Sequence, residues 1–109
     1  MPSGFRYERK LADKLEEEGW HVERVASSGK RKNSVCDLVG VKNGIPYLME
    51  VKTRKGTVFY TRSYIDHLEN LVKVANKCKA IPMLMILFKR HGWKFLELNK
   101  IPKVVKFDE

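Results

Sequence analysis

The stretch from Val35 to Thr53, VCDLVGVKNGIPYLMEVKT, places the tightest constraint on what this chain can fold into. Two apolar-rich segments flank Asn43-Gly44, a dipeptide that accepts the positive φ angles of a tight hairpin turn. A hairpin symmetric about that turn sets Lys42 opposite Ile45, Val39 opposite Leu48 and Asp37 opposite Glu50. Directly opposed side chains in an antiparallel pair have Cβ atoms about 4.5–5.5 Å apart, and like charges there are destabilising unless something positive lies between them. Lys52, two residues beyond Glu50, shares the same face. Asp37, Glu50 and Lys52 therefore read as a divalent-metal site with a lysine beside it. A merely solvated strand face fits less well, because Val39, Val41 and Leu48 make this face apolar, and Leu38, Met49 and Val51 do the same for the other.

Upstream, Phe5 to Gly19 has helical periodicity, with Leu11, Leu15, Ala12 and Phe5 inside about 120° of arc. Glu8 falls near the middle of that arc, so the spacing points a third carboxylate to where the helix meets a sheet. Glu16, Glu17 and Glu18 lie mostly outside it and read as solvated charges. Trp20 to Ala26 alternates like a strand, and Ser27 to Ser34 is a polar loop carrying Lys30, Arg31 and Lys32. Beyond the hairpin, Arg54 and Lys55 continue the basic surface, and Val58-Phe59-Tyr60 is a short apolar interruption. Ser63 with Asp66 resembles a capping box, opening a helix through Cys78 whose stripe is Tyr64, Ile65, Leu68, Leu71, Val72 and Ala75. Ile81 to Phe88 is a buried-strand candidate, Lys89 to Gly92 turns the chain, and Trp93 to Leu98 returns as a second hairpin arm. The tail around Val104 and Val105 suggests one more edge strand. The order predicts an α/β sandwich with a mixed central sheet flanked by helices.

A chain of 109 residues fits one domain, and Lys plus Arg at 22 against 13 Asp plus Glu gives a net charge of +9. So basic a chain suits a polyanion, nucleic acid ahead of a membrane surface. The amino-terminal residues lack an apolar signal core, and the longest apolar run is too short to span a bilayer. A cytoplasmic protein, with Cys36 and Cys78 reduced and packed, is the expectation. His21, His67 and His91 show no metal-ligand spacing and read as surface or boundary residues.

Glu-x-Lys alone is weak evidence: 9 Glu and 15 Lys in this chain predict about one match by chance, and Glu8-Arg9-Lys10 is a second. The facing acid, the flanking apolar strands and the inward Glu8 carry the specificity. Such a set suits phosphodiester hydrolysis, where a metal held by carboxylates neutralises the phosphate and acidifies water. Magnesium takes oxygen ligands, few of them from protein. Asp37 and Glu50 are the main candidate ligands, joined by the Val51 carbonyl and by Glu8 directly or through water. Lys52 suits orientation of the nucleophilic water and stabilisation of the phosphate. A non-catalytic nucleic-acid-binding domain is the rival reading.

Glu8-Arg9 in the first helix, Arg24-Val25-Ala26-Ser27-Ser28-Gly29, Cys36-Asp37-Leu38-Val39, and Met49-Glu50-Val51-Lys52-Thr53 together resemble the archaeal Holliday junction resolvases. Ile81-Pro82 and Gly92-Trp93-Lys94-Phe95 extend the likeness over nearly the whole chain. That family belongs to the restriction-endonuclease-like nucleases with the PD-(D/E)xK motif, whose proline is Cys36 here. The resemblance implies one junction-resolving nuclease domain over residues 1–109. It would act as a homodimer that nicks two opposed strands of a four-way DNA junction with magnesium, or manganese in its place. Glu8, Asp37, Glu50 and Lys52 would be catalytic, and Arg9, Arg24 and Ser28 would contact DNA near the scissile phosphate. Apart from the resemblance, the charge of the chain lets Lys30, Arg31 and Lys32 read equally as a mobile connection or as a phosphate clamp that orders on binding, and Arg54 and Lys55 continue that DNA-binding surface. A nuclease of the same fold acting on other DNA is the alternative within enzymes. Helix Tyr64–Ala75 and strand Ile81–Phe88 stand either as dimer surfaces or as elements spent entirely on the core, and a sliding clamp as a candidate partner.

Overall fold

In the computed structural model the described residues are 3–25 and 34–109, with side chains described from Arg6 onward. Helix α1 spans Ser3–Glu17 and buries Leu11 and Leu15, which lie four residues apart on one face. It ends where Gly19 takes φ +94° and the Trp20 and Gly19 amides donate to the Leu15 and Glu16 carbonyls at 3.1 and 3.2 Å, a Schellman closure. Strand β1, His21–Arg24, follows, and its Val22 amide donates to Glu16 Oε2 at 2.8 Å. Glu16 is thus not an ordinary solvated charge: it anchors the first strand to the helix it has just left.

Strands β2, Leu38–Lys42, and β3, Ile45–Arg54, form the hairpin, with Leu38 opposite Met49 and Lys42 opposite Ile45. Asn43 at φ 53° and Gly44 at φ 78° are both left-handed, as the expected turn requires. Gly40 suits a close approach, since a Cβ there would displace the Met49 methyl and stand 3.2 Å from the Trp20 ring.

A short strand β4, Val58–Tyr60, leads to a single 3-10 turn over Arg62–Tyr64 and then to helix α2, Ile65–Cys78. The Ser63/Asp66 capping box does not form: Tyr64 is the cap residue and no side chain caps the helix, because the preceding turn already satisfies the local backbone. Strand β5, Ile81–Phe88, then runs parallel to β3, and β6, Gly92–Glu97, returns beside it. The main sheet has the order β1-β2-β3-β5-β6 and is mixed, as expected. The tail strand β7, Val104–Lys106, does not join this sheet but pairs antiparallel with β4. Thr61 clamps that small sheet by donating from Oγ1 to the Pro102 carbonyl at 2.5 Å.

Each helix covers one face. Leu11 and Leu15 pack with Val22, Leu38, Met49, Val51 and Met85; Leu68 and Leu71 pack with Phe59, Leu84, Ile86 and Phe88 on the other side. Strand β5 is flanked on both edges by strands and its even residues lie beneath α2, so it is no free dimer surface. Two further expectations are corrected. Val41 is exposed near the hairpin tip, beyond the reach of either helix, and Cys78 is exposed at the end of α2 while Cys36 is buried. Burial pushes the Cys36 thiol up to about 11, so it stays protonated and acts as core. No helix among the described residues is long and apolar enough to cross a membrane.

Candidate active site

Strand alternation places successive residues of β3 on opposite faces. Met49 and Val51 turn toward α1, and Glu50 and Lys52 turn toward α2, beside Leu84 and Ile86 of β5. Glu50 is 5% exposed, an unusual place for a carboxylate without partners. Its partners are Lys52 Nζ, 3.4 Å from Oε2, and His67 Nε2, 3.1 Å from Oε1.

Asp37 lies one residue before β2. The ladder ends at Leu38 and Met49, so Asp37 and Glu50 are not a paired rung. Asp37 instead donates its amide to the Met49 carbonyl at 3.0 Å and accepts the Val51 amide on Oδ2 at 2.9 Å. Its side chain thereby turns back onto the β3 backbone between Glu50 and Lys52. The expected electrostatic conflict is nevertheless present. Burial pushes the Glu50 carboxyl up, and the Asp37 carboxylate pushes it further, against the pull of His67 and Lys52.

Glu8 belongs to the same group, delivered from α1. Burial raises its carboxyl to about 7, and the charges of Asp37 and then Glu50 add to that, while Arg24 and Lys52 oppose them. Three carboxylates from three elements therefore share one field that is short of positive charge. A divalent cation relieves such a deficit, and an all-oxygen donor set suits a hard one. Among the described residues no three His, Cys, Asp or Glu side chains converge closely enough to hold a metal ion by themselves. The oxygen donors of Asp37, Glu50 and Glu8 are of the kind a hard divalent cation takes, with its remaining positions left to water and substrate.

Arg9 is exposed one residue beyond Glu8 on α1, and Arg24 is exposed at the end of β1, within the electrostatic reach of Glu8. Ser28, Lys30, Arg31 and Lys32 lie outside the described residues. Arg54 and Lys55 follow β3 directly, and because β3 and β5 are parallel they meet Lys89 at the same end of the sheet. Thr53, Arg54, Lys55 and Lys89 line an open groove of about 380 Å³, and Lys55, Lys89, Arg90 and His91 line another of about 500 Å³. Sequence reasoning missed Lys89 and Arg90 as part of this surface. It also missed His67, whose contact with Glu50 spans 17 positions. Only the parallel crossover brings these together, so no local spacing could have shown them.

A mixed sheet carrying an acid before its second strand and Glu-x-Lys on its third, between two covering helices, is the restriction-endonuclease-like nuclease fold. The model of the Hjc family, described as archaeal Holliday junction resolvase, matches residues 2–107. The chain belongs to that family. A crossover junction endodeoxyribonuclease of Sulfolobus islandicus rod-shaped virus 1 is 31% identical over 82% of this chain and 74% of its own length. The crossover junction endodeoxyribonuclease Hjc of Archaeoglobus fulgidus is 34% identical over 97% of this chain and 79% of its own, and that of Sulfurisphaera tokodaii 31% identical over 95% and 63%. A crystal structure of Archaeoglobus fulgidus Hjc, a Holliday junction resolvase, superposes with a TM-score of 0.76 at 29% identity, covering 94% of this chain and 86% of that one.

Proposed function

We propose that this chain is a structure-selective DNA endonuclease, a single junction-resolving domain over residues 1–109. As a homodimer in the cytoplasm, it binds a four-way junction and nicks two opposed strands symmetrically by metal-dependent phosphodiester hydrolysis. The observation that carries the reading is the buried Glu50 held between Lys52 and His67 beside Asp37, in a chain of the resolvase family. Asp37 and Glu50, with the Val51 carbonyl, would hold magnesium, or manganese in its place. When bound, the metal neutralises phosphate charge and lowers the pKa of water.

The remaining work falls to the chain itself. Lys52 Nζ supplies a fixed positive charge where negative charge develops on the phosphate, and it orients the attacking water. Glu8, with its carboxyl raised to about 7, can take up a proton near neutral pH. Arg9, Arg24 and Ser28 contact DNA beside the scissile phosphate. Lys30, Arg31, Lys32, Arg54 and Lys55, joined by Lys89 and Arg90, hold the arms through their backbones. Such contacts position DNA without reading bases, and a two-fold protein matches a two-fold junction.

The test is incubation of the protein with a synthetic four-way junction and a matched linear duplex, with magnesium or with chelator. Paired nicks at symmetric positions in the junction, only with magnesium, are expected. Equal cutting of the duplex would point to a nuclease of the same fold acting on ordinary DNA, and binding without cutting to a non-catalytic binding domain.

A further inference from the structure

Tyr64, the cap residue of α2, and His67, in its first turn, lie three residues apart and both reach β3. Each meets a different half of the Glu-x-Lys motif. His67 Nε2 stands 3.1 Å from Glu50 Oε1, and the Tyr64 ring centroid stands 4.0 Å from Lys52 Nζ, a cation–π contact. Lys52 Nζ in turn stands 3.4 Å from Glu50 Oε2. Both carboxylate oxygens are thus occupied from fixed directions, and the ammonium is held between a ring and a carboxylate. The ring itself is fixed, stacked on Phe59 at 5.6 Å with the planes 10° apart, and Phe59 is core. Each Glu50 oxygen keeps a second lone pair for another partner.

We infer that Tyr64 and His67 are positioning residues for the junction-cutting site, His67 aiming the Glu50 carboxylate and Tyr64 aiming the Lys52 ammonium. This rests on the reading of Asp37, Glu50 and Lys52 as the hydrolytic site. Side chains that orient a metal-binding carboxylate normally matter to metal affinity or rate by roughly ten- to a hundredfold. Neither side chain is needed for folding in the way Leu68 or Leu71 is: His67 is 38% exposed, and a planar apolar ring would replace Tyr64 in its packing.

The experiment compares wild type with His67→Ala, His67→Gln, Tyr64→Leu and Tyr64→Phe in three measurements. These are single-turnover junction cleavage with magnesium, junction affinity in chelator, and manganese binding by calorimetry without DNA. Expected are about tenfold or greater losses of cleavage rate in His67→Ala and Tyr64→Leu. Junction affinity should be unchanged, and manganese binding weakened about tenfold in His67→Ala alone. His67→Gln, which restores a donor to Glu50, and Tyr64→Phe, which restores the ring, should recover most of the loss. Wild-type rates in both His67→Ala and Tyr64→Leu would overturn the inference while leaving the hydrolytic reading intact. Losses that follow melting temperature and are not recovered by the conservative variants would overturn it as well. A wild-type protein that binds but never cuts the junction would instead remove the reading on which the inference rests.

Discussion

On β3, Met49 and Val51 face α1 and disappear among Leu11, Leu15, Leu38 and Met85, whereas Glu50 and Lys52 face α2 and are met by His67 and Tyr64. On β3 the α1 face is met by apolar side chains, whereas the α2 face, where Lys52 stays partly exposed, holds charges in place at an electrostatic cost. Apolar burial beneath both helices supplies the surplus that lets β3 keep a carboxylate in a place where its charge is disfavoured.

That division can be broken from either side. The largest effect is expected for Asp37→Asn. It should cut junction cleavage on the order of 10³-fold or more, since a carboxylate ligand is lost. Junction affinity should survive, because the amide oxygen can still accept the Val51 amide and local negative charge falls. Rapid-quench cleavage beside a gel-shift titration checks both. The opposite result is expected on the α1 face. Leu11→Ala, at a fully buried position, should lower unfolding free energy by about 3 kcal/mol in urea while leaving the single-turnover cutting rate of the folded fraction unchanged. Gly40→Ala should cost about 1 kcal/mol in the same assay, because its Cβ has to turn the Met49 methyl aside beside Trp20.

A smaller effect sharpens the comparison at Glu8. Its carboxyl rises from 4.5 to about 7 on folding, so the folded state holds the proton more tightly. The stability this gives is complete below about pH 4.5 and is lost as pH rises through about 7. Glu8→Gln removes that decline. In chelator the variant should therefore gain relative to wild type between pH 5 and pH 8, by about 1 kcal/mol or less given the solvent screening at a partly open site. Urea titrations at the two pH values measure the difference.

The hairpin was legible from Asn43-Gly44 and from alternation alone, because turn and register are local properties. Glu8 was legible as well, since its position on the helix arc follows from the spacing of Leu11 and Leu15. What escaped was non-local. Three-residue strands β4 and β7 pair across the chain with too little sequence for a pattern, and His67 reaches Glu50 only because α2 crosses over the sheet. Asp37 escaped in part, since its side chain turns to the Val51 amide instead of continuing the ladder. The fold followed from periodicity and the grouping of the three acids from their placement, while the contacts of His67 and Tyr64 depended on the crossover.

Glu50→Gln shows in one preparation whether the α2 face of β3 serves chemistry at the expense of stability. Junction cleavage and thermal unfolding at pH 8 are measured on the same purified protein. Because burial and Asp37 push the Glu50 carboxyl up, its charged form weakens the fold at that pH, and the neutral amide removes the burden. Loss of cleavage together with an equal or higher melting temperature is expected. Near-wild-type cleavage, or a fall in melting temperature like that of a truncated core leucine, would contradict it.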